Sequence, residues 1–430
     1  AYDEYKRLVR EAAAGEVPRL RDEAWVISPK SEVFNACGKY SADEMRTAKE
    51  KLRHYNIGFE SGYLLEVHLL RVRQMLERGR MIRIGMKWWF GGAYEFFRDL
   101  QGNDPDMVFS DGDVRNFDMS VKRVMMELYV STAGVYFKKN DDYPTYTRLL
   151  KCLFTYLTRR ITHMYGGIWK IIFGGMPSGA YSTSHGDSWI LALMFWWFIE
   201  HLRNESPDMR RKIDLWYGKG KIFIVVYGDD HIIGAHKEVA QWINEVKFAS
   251  WLFKFLDMEV RDINVKVPVL SVAGNCGGVL VKGVVFLKRY LIERPPHFNA
   301  NTAPIVAYRP TWTYYYKLPF GSGAKRSIYD TILSCIGNAY DTFGTNVHAF
   351  NFLSFIHAFC MTNPQVRGMS AREVYTKMIA SADRSDVTSV VRKMNVTKEQ
   401  LEEGFPTLDN LARRNIHDPE KIKYQVINVD

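Results

Sequence analysis

Lys221-Ile-Phe-Ile-Val-Val-Tyr-Gly-Asp-Asp-His-Ile-Ile-Gly234 is the stretch on which the reading of this chain turns. Five apolar residues, Ile222 to Val226, lead to Tyr227. Gly228, Asp229 and Asp230 follow, and after His231 come Ile232 and Ile233. Short β-branched runs on either side of a Gly-Asp turn predict a tight β-hairpin. Strands this apolar are expected to be buried on both faces, in the middle of a sheet. Two adjacent carboxylates at the tip of a rigid hairpin repel each other and need a cation, and hard oxygen ligands suit Mg²⁺ or Mn²⁺. A solvated turn would have the same local sequence, so the reading depends on partners elsewhere in the chain.

The 430 residues can bury a large core and predict two or three subdomains. With 47% hydrophobic and 25% charged residues the composition is that of a soluble globular protein, although 14% aromatic is high. A net charge of +10 favours polyanionic partners such as nucleic acid, while many basic proteins bind nothing anionic. Cys37, Cys152, Cys276, Cys335 and Cys360 are scattered, odd in number and without a Cys-x-x-Cys pair. They argue against a disulfide scaffold or a zinc site and for a reducing compartment. The most apolar run, Trp189 to Ile199, stops at Glu200 and His201; it is too short to span a bilayer and reads as a buried helix. No transmembrane segment, signal peptide, repeat or low-complexity tract is visible, and a first residue of Ala rather than Met points to a processed or trimmed product.

Along the chain, Ser41 with Glu44 forms a capping box for a helix to about Arg53, and Leu64–Leu76 is a second helix. A basic stretch follows, with Arg71, Arg73, Arg78, Arg80, Arg83 and Lys87 leading to Trp88-Trp89-Phe90. Met107-Val-Phe reads as a short strand, and helices are expected at Val121–Phe137, Thr145–Met164, Thr183–Leu202 and Val239–Leu256. Met258–Lys266 reads as a strand and Val279–Leu291 as a hairpin turning at Gly283. Arg294-Pro295-Pro296 marks a boundary, and helices follow at Ser327–Tyr340, Val347–Phe359 and Ala371–Ser381.

Asp111-Gly-Asp113-Val-Arg-Asn-Phe-Asp118 puts acids at the end of a strand. Asp113 can reach the edge of the sheet that carries Asp229, and carboxylates from neighbouring strands are what two-metal phosphoryl transfer requires. Capping of the helix from Met119 is the plainer reading of Asp118, while Asp113 stands too early to cap. The loop Gly174-Gly175-Met-Pro177-Ser178-Gly179 can cradle phosphate on backbone N–H groups, without the Gly-Lys-Ser/Thr of a P-loop. Thr183 and Asp187 are one helical turn apart and share a face. Arg78 to Lys87 suits a triphosphate or an RNA backbone, with a solvated basic face as the alternative, and Trp88-Trp89 reads as core.

Taken together, the chain resembles the right-handed RNA-dependent RNA polymerases of the picornavirus-like supergroup. Asp113-x4-Asp118 resembles motif A; Gly175-Met-Pro-Ser178-Gly179 with Thr183 and Asp187, motif B; Tyr227-Gly-Asp229-Asp230, motif C; and Phe286-Leu-Lys288-Arg289, motif E. Four motifs in the family's order cover about residues 110 to 290. Many relatives have Asn at the position of Asp187; the chain resembles partitivirus- and picobirnavirus-like polymerases in having Asp there, within a similar Ser-Gly-x-x-x-Thr-x-x-x-Asp pattern.

The resemblance implies an α+β right-hand fold: fingers over residues 1–107, palm over 108–134, a fingers insertion over 135–174, palm again over 175–295, and a helical thumb over 296–430. It implies catalytic Asp113, Asp229 and Asp230 ligating two Mg²⁺ or Mn²⁺ ions. Asp118, Ser178, Gly179, Thr183 and Asp187 would bind the nucleotide, with Asp118 and Asp187 sharing a proton, or bridged by Thr183, to read the ribose 2′-OH. Arg80 and Arg83, joined by Arg78 or Lys87, would hold the triphosphate as motif F. Lys266, with Lys254 as the alternative, would donate a proton to pyrophosphate, and Lys288 and Arg289 would grip the nascent strand. Cys37-Gly-Lys-Tyr40 is the candidate for motif G, and the tail from Tyr424 to Asp430 could enter the cavity. The implied partners are template and nascent RNA, NTPs, and other viral replication or capsid proteins. The implied setting is the host cytoplasm, in replication complexes or within particles. The expected reaction is template-directed RNA synthesis from NTPs, replicating or transcribing a viral genome. A reverse transcriptase and a non-catalytic RNA-binding replication scaffold are the alternatives; Asp118 argues against the first, and intact Asp113, Asp229 and Asp230 against the second.

Overall fold

The structure, a computed structural model, describes residues 1–20, 25–31, 52–164, 167–317, 327–381 and 397–422. The Ser41–Glu44 capping box, Cys37–Tyr40 and Tyr424–Asp430 lie outside the described residues. In chain order the strands are β1 Trp25–Ser31, β2 Leu52–Ile57, β3 Met107–Val114, β4 Arg159–Met164, β5 Ile168–Phe173, β6 Ile222–Tyr227 and β7 Asp230–His236. They continue as β8 Val260–Val267, β9 Val272–Ala273, β10 Val279–Val281, β11 Val285–Phe286, β12 Arg289–Glu293 and β13 Ile305–Tyr308.

The central sheet has the order β6-β7-β3-β8, and its neighbours are antiparallel throughout. Tyr227 pairs with Asp230, so the hairpin turns on Gly228-Asp229. Gly228 has φ +64°, the left-handed conformation that a two-residue turn demands of its first central residue. Of the two strands expected mid-sheet, β7 is internal but β6 is the edge. The open edge of β6 is covered by the basic segment: Val226 N donates to Met81 O at 2.8 Å and Arg83 N to Val226 O at 3.0 Å. Covering the edge satisfies its unpaired backbone groups and also pins the arginines beside the turn.

Both faces of the hairpin strands β6 and β7 are largely buried, as the apolar runs predict, while β8 is partly exposed. Ile224, Val226, Ile233 and Ala235 join Ile190, Met194 and Phe195 of the helix Thr183–Arg203 and Phe248 and Leu252 of the helix Glu245–Leu256. Val225, Ile232 and Phe109 pack instead with Phe96, Phe286 and Leu291. Each such side chain contributes about 1.5–3 kcal/mol on full burial, so the sheet is clamped from both sides. The apolar run at Trp189 is indeed a buried helix, and among the described residues no helix is long and apolar enough to cross a membrane. Trp88 is a core residue and Trp89 is partly buried against the same core, and Cys152, Cys276, Cys335 and Cys360 are free thiols.

Several boundaries differ from the sequence reading. The helix expected over Thr145–Met164 is Tyr143–Thr158, and β4 follows it at once. From Arg159 burial alternates, with Arg160 and Thr162 inside and Arg159 and Ile161 outside; that period of two belongs to a strand paired with β5. The helix expected from Val239 begins at Glu245, because Asn244 caps it by accepting from Lys247 N. The helix from Val121 is Arg123–Thr132, tightening to a 3₁₀ turn at Ala133–Tyr136. The hairpin expected to turn at Gly283 turns at Leu287-Lys288, between Phe286 and Arg289, with φ of +52° and +61°. Gly283 serves a close approach: a Cβ there would lie 2.7 Å from the Leu270 carbonyl carbon.

A second sheet, β2-β1-β4-β5, is built from strands that all precede Gly174, and the C-terminal helices Ile328–Asp341, Val347–Met361 and Ala371–Ser381 share a core around Ile332, Ile336, Leu353 and Val374.

Candidate active site

Strand register assembles the acids. β3 pairs with β7 as far as Gly112 opposite His231, and one more step sets Asp113 opposite Asp230. On its other side Asp113 pairs with Arg261 of β8, whose Nε donates to Asp113 Oδ2 at 2.7 Å. Arg261, Asp113 and Asp230 thus form a row on one face of three adjacent strands, and directly opposed side chains sit about 4.5–5.5 Å apart at Cβ. Asp229 is exposed at the tip beside them. Burial pushes the Asp230 carboxyl up to about 6, and Asp229 and Asp113 push the same way against the pull of Lys288. That net repulsion among hard oxygen donors fits a site built for a cation. In this conformation Asp113 is turned to Arg261, and among the described residues no three His, Cys, Asp or Glu side chains gather closely enough to hold an ion.

The turn is held from below. Gly228 N donates to Ser188 Oγ at 2.7 Å, and Ser188 is a residue of the helix that carries Thr183 and Asp187. His231 Nδ1 donates to Asp229 O at 3.0 Å, while its Nε2 meets Glu245 Oε2 at 2.9 Å, with both side chains fully buried. Burial alone would lower the His231 pKa, but Glu245 and the Asp229 carbonyl outweigh it and raise the group to about 9. Glu245 fits because position 112 is glycine: a Cβ there would lie 2.7 Å from Glu245 Oε1.

The glycine loop is tied to the acid-bearing turn. Gly174 N donates to Thr158 O at 2.9 Å, Gly175 N to Val121 O at 3.0 Å and Met176 N to Asp118 O at 2.6 Å. These three N–H groups are therefore committed within the protein and are not available to a phosphate. Buried Arg160 completes the tie, donating to Leu157 O at 2.6 Å and to Gly175 O and Gly174 O at 2.8 Å. Ser178 and Gly179 form the turn that follows. Thr183 Oγ1 points to Pro177 O at 2.6 Å and Ala180 O at 2.9 Å, so it does not bridge the two acids. Asp118 Oδ1 accepts from Met119 N at 2.9 Å. Asp187 is buried; burial first, then Asp118 and Asp229, push its carboxyl well above the usual range, and its Oδ1 has no partner.

The basic residues divide. Arg78 is close enough to influence Tyr181 and His185 electrostatically, and Arg80 is exposed, 3.8 Å from Asp99. Arg83 is buried, donating to Asp99 Oδ2 at 2.7 Å and Arg80 O at 2.9 Å, and Lys87 caps Lys421 O at 3.1 Å. Lys288 is near enough to pull on Asp230, but Arg289 is turned away into Asp341, which Arg309 also holds, between the rings of Trp88 and Phe343. Lys266 forms a bulge with φ +54° where β8 passes Phe109 and Ser110. At about 3.3 Å per residue it is roughly 10–13 Å along the sheet from Asp113. Lys254 lies over the Phe255 ring in the last turn of its helix.

Sequence reasoning did not single out Arg160, Ser188, Arg261 or the His231–Glu245 pair. Their roles depend on partners brought together by the sheet, and no local spacing announces them.

Against known proteins, a model of the family described as viral RNA-dependent RNA polymerase matches residues 74–300. Comparison with curated proteins gives no match. Among solved structures the chain is similar to the Sicinivirus 3Dpol RNA-dependent RNA polymerase, at 16% identity and a TM-score of 0.55, over 88% of this chain and 71% of that one; at this identity the likeness shows the right-hand fold. Because the family match takes in the acid row, the glycine loop and the hairpin and spans more than half of the sequence, this chain belongs to the viral RNA-dependent RNA polymerases, nucleotidyltransferases that make RNA.

Proposed function

We propose that this polymerase replicates or transcribes a viral RNA genome by two-metal nucleotidyl transfer, with Asp113, Asp229 and Asp230 holding two Mg²⁺ or Mn²⁺ ions. The observation that carries the reading is the β3–β7 register, which pairs Gly112 with His231 and so leads Asp113 to the level of Asp230, whose carboxyl feels both Asp113 and Asp229. Bound there, the ions would lower the pKa of the attacking 3′-hydroxyl and stabilise the leaving pyrophosphate. The remaining work is positioning. Arg78 and Arg80 hold the triphosphate, and Arg83 braces that segment through Asp99. Lys288 steadies the nascent strand, and Arg289 braces the turn that presents it. Lys266 can protonate pyrophosphate only if its end of β8 closes toward Asp113. Template and nascent RNA, NTPs and other viral replication or capsid proteins are the partners, in host-cytoplasmic replication complexes or within particles.

Asp118 and Asp187 read the sugar. Burial and the neighbouring Asp118 and Asp229 favour the neutral form of the Asp187 carboxyl, the form that can donate a hydrogen bond as an amide does. Asp187→Asn is therefore expected to keep at least half of the activity and the preference for NTPs over dNTPs. Asp187→Ala is expected to lose about tenfold or more of that preference, the scale of one buried hydrogen bond to a substrate hydroxyl. Competitive incorporation of NTP and dNTP measures both, and an unchanged preference in Asp187→Ala would remove Asp187 from sugar choice.

The test of the function is RNA synthesis on a defined template, with and without primer. Chelation of divalent ions should abolish product by at least about 100-fold and Mg²⁺ should restore it, while RNA binding persists. Synthesis that survives chelation would end the metal reading. Templated incorporation of dNTPs in preference to NTPs would end the RNA-polymerase reading.

A further inference from the structure

The acid row ends in a cation. Arg261 is directly opposite Asp113, so both side chains leave the same face of the sheet, and the 2.7 Å contact follows from the register. Each side chain of the pair is 37% exposed, so the pair is open to exchange. Asp230 is on the far side of Asp113 by continuation of the β3–β7 register. A guanidinium stays charged at every working pH and takes carboxylate lone pairs through fixed donors. A divalent ion approaching Asp113 therefore meets a positive charge already in place. Either Asp113 leaves Arg261, or the ion binds beside a repelling neighbour.

We propose that Arg261 is a resident counter-ion of Asp113 that competes with the divalent metal, so that the site loads weakly until Arg261 releases the carboxylate. The open arrangement of the acids agrees with this: with Asp113 drawn toward β8, no three metal-ligating side chains converge among the described residues. The inference rests on the metal reading above and adds the residue that opposes it. A nearby pair supplies a control: Arg115 Nη1 meets Glu259 Oε2 at 2.7 Å, with 56% and 60% exposure, without touching Asp113.

Mn²⁺ binding to the full chain without nucleotide, followed by the electron paramagnetic resonance signal of the free ion, tests it. Arg261→Gln is expected to bind Mn²⁺ about two- to fivefold tighter than wild type, the range in which a partly exposed ion pair shifts a competing equilibrium. Arg261→Lys, which keeps the charge but loses the Nε donor, is expected to fall between them and covers the case in which the Gln variant does not fold. Arg115→Gln is expected to match wild type. Affinity in folded Arg261→Gln equal to or weaker than wild type overturns the inference, as does equal tightening in Arg115→Gln. Asp229→Ala separates the two failures: if it binds Mn²⁺ as well as wild type, the metal reading falls and this inference with it; if it binds less while Arg261→Gln gains nothing, only this inference falls.

Discussion

Replacing Asp229 by Ala is expected to lower kcat for templated RNA synthesis by on the order of 10³-fold or more, with the protein folded and RNA affinity within about twofold of wild type. The separation of effects follows from what holds the turn. Gly228 N is fixed by Ser188 Oγ, and the Asp229 carbonyl, not its carboxylate, accepts from His231. The carboxylate itself is exposed at the tip and has no part in the core, so its loss should change stability by no more than about 0.5 kcal/mol. On the proposed reading the nascent strand is steadied by Lys288, a contribution that does not depend on the Asp229 carboxylate. On the proposed metal reading, removing Asp229 leaves developing charge on the attacking and leaving oxygens without its stabiliser, and electrostatic stabilisation of that kind usually does more for the rate than any other effect. Single-turnover extension of a bound primer, with a thermal melt and an RNA titration of the same sample, measures all three quantities. A variant that extends within tenfold of wild type would take Asp229 out of the catalytic set.

The parts of this molecule that could be read in the sequence are those written over short distances. The β6–β7 hairpin carries its own turn residue and its own apolar strands, and the helix with Thr183 and Asp187 carries its own spacing. The order of the four motifs then pointed to a family that the structure and the family match support. What could not be read is pairing over long separations. Arg261 and Asp113 are 148 residues apart, and Arg289 reaches Asp341 across 52. Nothing around Arg289 in sequence announces an internal partner, so its charge suggested RNA. β4 was missed because its first residues continue a helical run, and only the antiparallel partner β5 fixes the period of two. The turn of the β11–β12 hairpin was misplaced because Gly283 is the expected turn residue, while Leu287 and Lys288 adopt positive φ at a cost of about 1–2 kcal/mol each. A conformation so unfavourable for branched and long side chains is held by its surroundings, here the Arg289–Asp341–Arg309 cluster behind it.

The second large effect concerns stability and arises at the buried pair under the Gly228-Asp229 turn. His231→Leu is expected to destabilise the protein by about 3–5 kcal/mol, because it leaves Glu245 as a buried charge without its counter-ion. Glu245 Oε1 already has no partner, so nothing else in the pocket can take up the charge. Replacing both residues, His231→Leu with Glu245→Leu, should cost markedly less than the single change, since two apolar side chains ask for neither hydration nor a partner. The pair also has a defined pH dependence. His231 has a folded pKa of about 9, above its ordinary 6.5. Its contribution is therefore fully present below pH 6.5 and is lost as pH rises through about 9. Wild type should lose stability across that window relative to the double variant, which lacks the titrating group. Denaturant melts of wild type, single and double variants at pH 6, 7.5 and 9 measure the coupling and its pH profile together. If the double variant is as damaged as the single one, or if wild type and double variant run parallel from pH 6 to 9, the charged-pair account fails. In its place His231 would be a neutral packing residue beneath the turn.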